Sequence, residues 1–471
     1  MPSEARPIVR ARTIQTPDEA STTKVGTSMP TWVTIGLVVA IAAGIALRLI
    51  WPGDIEYKAD EQYTFARVQE VLAGGPWPSV GMMTSMGTFN PGMSVWIFIA
   101  LGGLFGARSA PELATDVQLL NAAGIIGLIV FARFAIPVAR REIWYWAAAL
   151  WALNPVAIIL ERKIWPPSVL PAFAVLLIAC WWYRHRSFQA FAWGALGAAM
   201  GQVHASAWFL ALMLLVWTLL YDRHSPKWLA WFAGNVVSAL FALPWLVETL
   251  HRQGQPAWNM HAVLKFFYYA HYELQPFGFY IDYTLGPHEM SAFLGGPEIA
   301  GYQTHLMAVL QGVMALLVFA VGILVVRRLR KTTWPKITWQ EINWPKINWQ
   351  EISLQEISWP SWRDVFVGRD NETLLMLAVF WGYYGLLTLI IVFGAGPYVH
   401  YMIVTTPVMT LWLAHWTFSP DIARLSRAIL VAICITLASA GAGLLGYIHV
   451  KQVIAGEYGP TWRSQQPLQS R

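Results

Sequence analysis

Long apolar runs broken by short polar stretches organise most of the chain. The first, residues 31–50, reads TWVTIGLVVAIAAGIALRLI and is long enough to cross a bilayer as a helix. Ten more follow at residues 117–138, 144–160, 169–183, 188–203, 205–220, 228–247, 305–326, 373–393, 401–417 and 428–448. Together they predict an all-α integral membrane protein of about eleven transmembrane helices. Residues 93–105 are apolar but too short to cross comfortably, and residues 61–73 are amphipathic. Both are expected as helices lying on the outer membrane surface.

Charge gives the topology. Lys and Arg cluster at Arg140 and Arg141, Arg184 and Arg186, Arg223 and Lys227, the stretch 327–331, and Arg424 with Arg427. Short cytoplasmic loops carry the Lys/Arg excess, so these belong inside, with the N-terminal tail 1–30 (Arg6, Arg10, Arg12, Lys24). Span 31–50 then leads out and span 117–138 leads back. Residues 51–116 must stay outside as a first large loop, and residues 248–304 form a second. Shorter outer turns fall at 161–168, 202–206 and 394–400. Large aromatic outer loops on a helical platform point to a reaction site facing outward.

Composition removes other classes. Of 471 residues, 56% are hydrophobic and 12% charged, unlike a soluble domain. The 27 Trp and 17 Tyr suit membrane interfaces. The net charge of +6 sits mostly in cytoplasmic loops, so it does not indicate nucleic acid. Cys180 and Cys434 lie inside apolar runs and form neither a disulfide framework nor a metal motif. The polar N-terminus runs into an uncleaved-looking span, so no signal peptide is expected. Residues 334–360, within a cytoplasmic insert at 327–372, repeat every five residues (WPKIT, WQEIN, WPKIN, WQEIS, LQEIS). Lys and Glu balance there, and so few units cannot make a solenoid core. A membrane-hugging linker without chemistry is expected. Spans at 373–448 and a tail at 449–471 complete the chain.

Five places carry groups able to do chemistry. Asp60 and Glu61 follow the first span, and a carboxylate at an interface can take a proton from a hydroxyl or hold a metal. Asp54 and Glu56 compete for the same role. Arg162 and Lys163, followed by Trp165, face outward against the general charge bias, and a guanidinium beside an ammonium can hold a phosphate. Gln202 and His204 lie at another outer turn, where the histidine suits phosphate, metal or acceptor. His400 and Tyr401 open a late span, with Pro407 beyond. The aromatic run 266–273 suits stacking on sugar faces or lining a lipid-tail groove. Against each stands a plain reading: solvated loop charges, a snorkelling basic pair, a structural histidine, an interfacial aromatic belt.

The ordered set resembles the class A GT-C glycosyltransferases, among them the protein O-mannosyltransferases and the bacterial aminoarabinose and rhizobial lipopolysaccharide sugar transferases. The resemblance covers most of the chain to about residue 417. It implies a GT-C-like bundle with two large extracytoplasmic loops carrying surface helices, the catalytic module being residues 31–326. The acidic pair of that family's first outer loop corresponds to Asp60-Glu61, with the Asp implied as catalytic base. The His-Pro-Pro-Leu type motif departs to Asn90-Pro91-Gly92-Met93. The acidic residue expected five positions after Arg162 is Pro167. Arg162, Lys163, Trp165, Gln202 and His204 fit a bacterial subset, and His400-Tyr401 stands where an Arg-Tyr is common.

The reading implied is a multi-pass enzyme of the cytoplasmic (inner) membrane. It would transfer a sugar, with inversion, from a polyprenyl-phosphate donor to an extracytoplasmic glycolipid, polysaccharide or protein. Asp60 and Glu61 are the expected catalytic pair. Arg162, Lys163, His400 and Tyr401 are expected at the donor phosphate, with His204, Gln202, Trp165 and Asp54 at the acceptor or in support. Asp60, Glu61 and His204 would permit a divalent ion without requiring one. The main rival is a transporter or lipid-linked glycan flippase, which would place ionisable groups at mid-membrane and often repeat its halves. This chain has no obvious half repeat, and its mid-span polar groups are mild (Asn121, Asn154, Asn235). A third class, a scaffold binding a partner through the Trp repeat, is separable by deleting the repeat.

Overall fold

The computed structural model describes residues 29–83, 89–251, 274–279, 281–331, 370–392 and 399–466. The repeat at 334–360, the aromatic run 266–273 and the N-terminal tail to residue 28 lie outside them. Helix α1 (Thr31–Leu49) leads through a turn at Pro52–Asp54 to α2 (Ala59–Leu72), the hairpin β1–β2 (Val80–Met83, Phe89–Pro91), α3 (Met93–Phe105) and α4 (Ala110–Ala135). Then come α5 (Arg141–Leu153), α6 (Pro155–Leu160), a turn at Pro166–Val169, α7 (Leu170–Trp182), α8 (Ser187–Val203), α9 (Ser206–Tyr221), α10 (Trp228–Leu240) and α11 (Leu243–His251). Helix α12 (Ile281–Gly295) and the hairpin β3–β4 (Glu298–Ile299, Tyr302–Gln303) precede α13 (Leu306–Lys331). Helix α14 (Asn371–Leu377) passes through a π-helical turn, Ala378–Tyr383, into α15 (Tyr384–Val392). Helices α16 (Thr406–Thr417) and α17 (Ala423–Lys451) lead to the hairpin β5–β6 (Val453–Ile454, Gly459–Pro460).

The protein is an all-α membrane protein. Among the described residues, five stretches are long and apolar enough to cross a bilayer: Thr31–Leu49, Ala110–Ala135, Leu306–Arg330, Asn371–Leu389 and Pro420–Lys451. A sixth results if α10 and α11, bent by 52°, form one span. The other expected spans fall on shorter apolar helices. Run length overlooks breaks of the kind at Pro155, which cannot donate a backbone hydrogen bond, so the run 144–160 divides into α5 and α6. Asn154 caps the second piece, its Oδ1 accepting from Ala157 N at 3.0 Å. Helix α3, at 13 residues, is about 20 Å long, short of a bilayer core of about 30 Å.

Small residues let the helices close up. A Cβ at Gly44 of α1 would stand 2.2 Å from Ala152 O of α5. Between α8 and α10 the device is reciprocal: Gly194 faces Trp231 O and Gly234 faces Phe191 O. Arg48 of α1 is fully buried. Its charge is met by Glu161 at 2.8 Å, which also accepts from Trp151 Nε1 at 2.7 Å. Such a pair holds position more than it adds stability, since both ions lose water.

The bundle has two unlike ends. At one, Arg140 pairs with Asp370 and Arg184 with Asp222, and these residues line a cavity of about 700 Å³ at the C-terminal end of α7. The loops whose Lys and Arg were assigned to one membrane side thus meet. The opposite end of α7, behind Lys163 and Trp165, is where the expected site residues gather.

Candidate active site

The first loop is built by the chain's far end. Tyr57 N donates to Pro460 O at 3.1 Å and Trp462 N to Ile55 O at 2.9 Å, so residues 452–466 strap across the turn after α1. Asp54 is buried, with His449 Nδ1 at 2.6 Å from Oδ2 and Gln452 Nε2 donating to Oδ1 at 3.0 Å. Tyr458 OH donates to its backbone carbonyl. Trp51 stacks on His449 with ring centroids 4.1 Å apart. Asp54, expected to assist the acceptor, is therefore committed to anchoring the loop.

Glu56 is the hub. It is 1% exposed, with Lys58 Nζ 2.7 Å from Oε1 and Lys163 Nζ against Oε2. Glu61, in the first turn of α2, is equally buried, and its Oε2 accepts from Lys58 N at 3.0 Å, closing the start of the helix. Burial, then the nearby Glu56 charge, raise the Glu61 carboxyl to about 7, while Lys163 and the Lys58 N–H pull the other way. Asp60 is half-buried, and among the described residues no hydrogen bond or ion pair engages its carboxylate. The acidic pair thus divides into one enclosed and one uncommitted carboxyl.

The Nη atoms of the Arg162 guanidinium are taken up by backbone carbonyls. The side chain is buried, and Nη1 donates to Leu47 O, Arg48 O and Ile50 O at 3.0, 2.8 and 2.7 Å, and Nη2 to Trp51 O at 3.0 Å. These are carbonyls at and just beyond the C-terminus of α1, where unpaired acceptors and the negative end of the helix dipole favour a cation. Arg162, expected at the donor phosphate, thus clamps the end of α1 through its Nη atoms, which sets where the next residue, Lys163, stands.

Lys163 Nζ lies 5.0 Å over the Trp165 ring, within cation–π range. Trp165 meets His400 edge-on with centroids 4.6 Å apart, and His400 lies 5.7 Å from His204 and 4.5 Å from Tyr401. Tyr383 OH donates to Tyr401 O, tying this cluster to the π-helical turn. Burial lowers the His204 pKa to about 4. His400 falls well below its ordinary value through burial, then the charges of His204 and Lys163. Both rings are neutral at pH 7. His204 Nδ1 lies 2.8 Å from Ser206 Oγ and accepts from Ser206 N at 3.3 Å. Gln202 Nε2 donates to Ser238 O at 2.8 Å, joining α8 to α10, while its Oε1 is buried without a hydrogen-bond partner.

Lys163, Trp165, His204, His400 and Tyr401 thus form one contiguous group, joined through Lys163 to Glu56 and Glu61. Among the described residues no three His, Cys, Asp or Glu side chains group as a metal site. Lys58, which shares Glu56 with Lys163, and the C-terminal strap are additions the sequence did not single out. Contact across hundreds of positions leaves no periodicity to detect.

The structure of ArnT from Cupriavidus metallidurans bound to undecaprenyl phosphate is similar over 88% of this chain and 76% of that one, with 14% identity and a TM-score of 0.45. No family model and no curated protein matches the chain.

Proposed function

We propose that the protein is a membrane glycosyltransferase that moves a sugar from a polyprenyl-phosphate carrier to an extracytoplasmic glycolipid, polysaccharide or protein, with inversion. The observation that carries this reading is the convergence of buried carboxyls with Lys163, Trp165, His204, His400 and Tyr401 at one end of an apolar bundle. A phosphate needs a cation and hydrogen-bond donors held away from water, an acceptor hydroxyl needs a base, and a sugar ring stacks on an aromatic face. A carrier with a long isoprenoid tail gains about 0.8 kcal/mol per methylene left in lipid, so its enzyme works at the membrane.

In the proposed reaction the acceptor oxygen attacks the anomeric carbon as the bond from that carbon to the phosphate oxygen breaks. The electron pair leaves with the polyprenyl phosphate, and the hydroxyl proton passes to Asp60. Attack opposite the leaving group inverts the anomeric centre. Lys163, with His400 and His204 as neutral donors and Tyr401 beside them, stabilises the phosphate charge as it develops. Glu61 orients the acceptor. Arg162, Asp54 and Gln202 act by holding these groups in place.

Asp60→Asn tests the base directly. Transfer should fall by about 10²–10⁴-fold while the protein stays inserted and binds the carrier, as loss of a general base predicts. Normal turnover in that variant removes Asp60 from the chemistry.

A further inference from the structure

We infer that Gln118 is a sugar-binding residue of this site, hydrogen-bonding ring hydroxyls of the transferred sugar; the inference rests on the reading of the site as one for a polyprenyl-phosphate-linked sugar. Gln118 lies in α4 and is 0% exposed. Its Nε2 and its Oε1 are both buried without a hydrogen-bond partner. A buried polar group left unpaired costs about 1–3 kcal/mol, and this residue leaves two. A leucine would fill similar space at no such cost. A glutamine kept at that penalty points to a ligand that completes it.

Its position on α4 lies near the two turns that carry the site. Leu113 marks the side facing α3, where a Cβ on Gly102 would meet it. At 3.6 residues per turn, Gln118 stands about 140° round the helix from Leu113 and about 60° from Asn121. Asn121 Nδ2 donates to Ser168 O at 2.8 Å, so that flank faces the Pro166–Val169 turn. Helix α4 also packs against the Pro52–Asp54 turn. One of these turns follows Lys163 and Trp165, and the other leads to Glu56. Gln118 lies about 4.5 Å nearer the N-terminal end of α4 than Asn121, on the flank turned away from α3. Arg162 Nε and Asn121 Oδ1 are likewise buried and unpartnered.

The carboxamide also selects its ligand. Phosphate oxygens only accept, so they could answer Nε2 but never Oε1. A hydroxyl both donates and accepts, and neighbouring ring hydroxyls satisfy both ends of the amide. The group therefore recognises the sugar, not the phosphate that Lys163 and the histidines would hold.

The test compares wild type with Gln118→Leu, full length in lipid nanodiscs. Thermal unfolding is measured with affinity for bare polyprenyl phosphate and for the polyprenyl-phosphoryl forms of glucose, mannose and arabinose. The variant should unfold at the same temperature or higher and bind the bare carrier as before. It should lose about 30-fold of the wild type's preference for its favoured loaded carrier, the worth of two hydrogen bonds to substrate. A drop of several degrees in unfolding temperature, an unchanged preference, or equal losses for bare and loaded carriers would each overturn the inference. Wild type binding none of the carriers would sink the glycosyltransferase reading and this inference with it. Wild-type preference kept by the variant would sink this inference alone.

Discussion

Asp60 and Glu61 are neighbours in the chain with different surroundings, and that difference is what sequence alone could not supply. The pair was legible as an acidic motif after a span. That Glu61 is enclosed with Glu56 and Lys163 while Asp60 stays uncommitted depends on a residue a hundred positions away. Arg162 makes the same point. Its charge was plain, yet its partners are the carbonyls ending α1, so a cation that reads as a phosphate ligand serves as a helix clamp. His204 and His400 were legible as outer-turn histidines, and their meeting was not. The raised Glu61 pKa has a measurable sign. A carboxyl whose folded pKa exceeds its unfolded value binds more protons folded, so its charge destabilises the fold as pH rises from about 4.5 through about 7. Glu61→Gln keeps an acceptor for Lys58 N, and it should unfold at the same temperature as wild type at the acid end of that window. Above it the variant should be the more stable, by about 3 kcal/mol as an upper bound. Equal pH profiles for the two proteins would show that Glu61 is not held in that environment.

The long apolar helices α1, α4, α13 and α17 were readable because each is a single uninterrupted run. The divided pairs α5–α6 and α10–α11 were not, because hydropathy is blind to a break whose flanks are equally apolar. The strap at 452–466 was hidden for another reason. It looks like a polar tail, and only the fold shows it supplying partners for Asp54, Ile55 and Tyr57. Deleting residues 452–471 strips those partners while leaving α17 whole. The turn carrying Glu56 should then become open to protease, and transfer should fall more than about tenfold, since a small displacement of positioned groups is enough for that. Wild-type transfer and protease resistance in the truncated protein would show the strap to be dispensable.

Viewed entire, the molecule sets ion-paired cationic turns at one end of the bundle and the carboxyl, lysine and histidine group at the other. A chain that carried a lipid-linked glycan across the bilayer would release its carrier with the sugar attached. A transferase separates the two. The decisive measurement is mass spectrometry of purified protein in nanodiscs, supplied with polyprenyl-phosphoryl sugars and an envelope lipid and glycan extract. Loss of the loaded carrier should be matched by gain of bare polyprenyl phosphate and of an acceptor bearing the sugar in inverted anomeric configuration. A carrier that keeps its sugar, with every offered donor and acceptor unchanged in mass, would contradict the account.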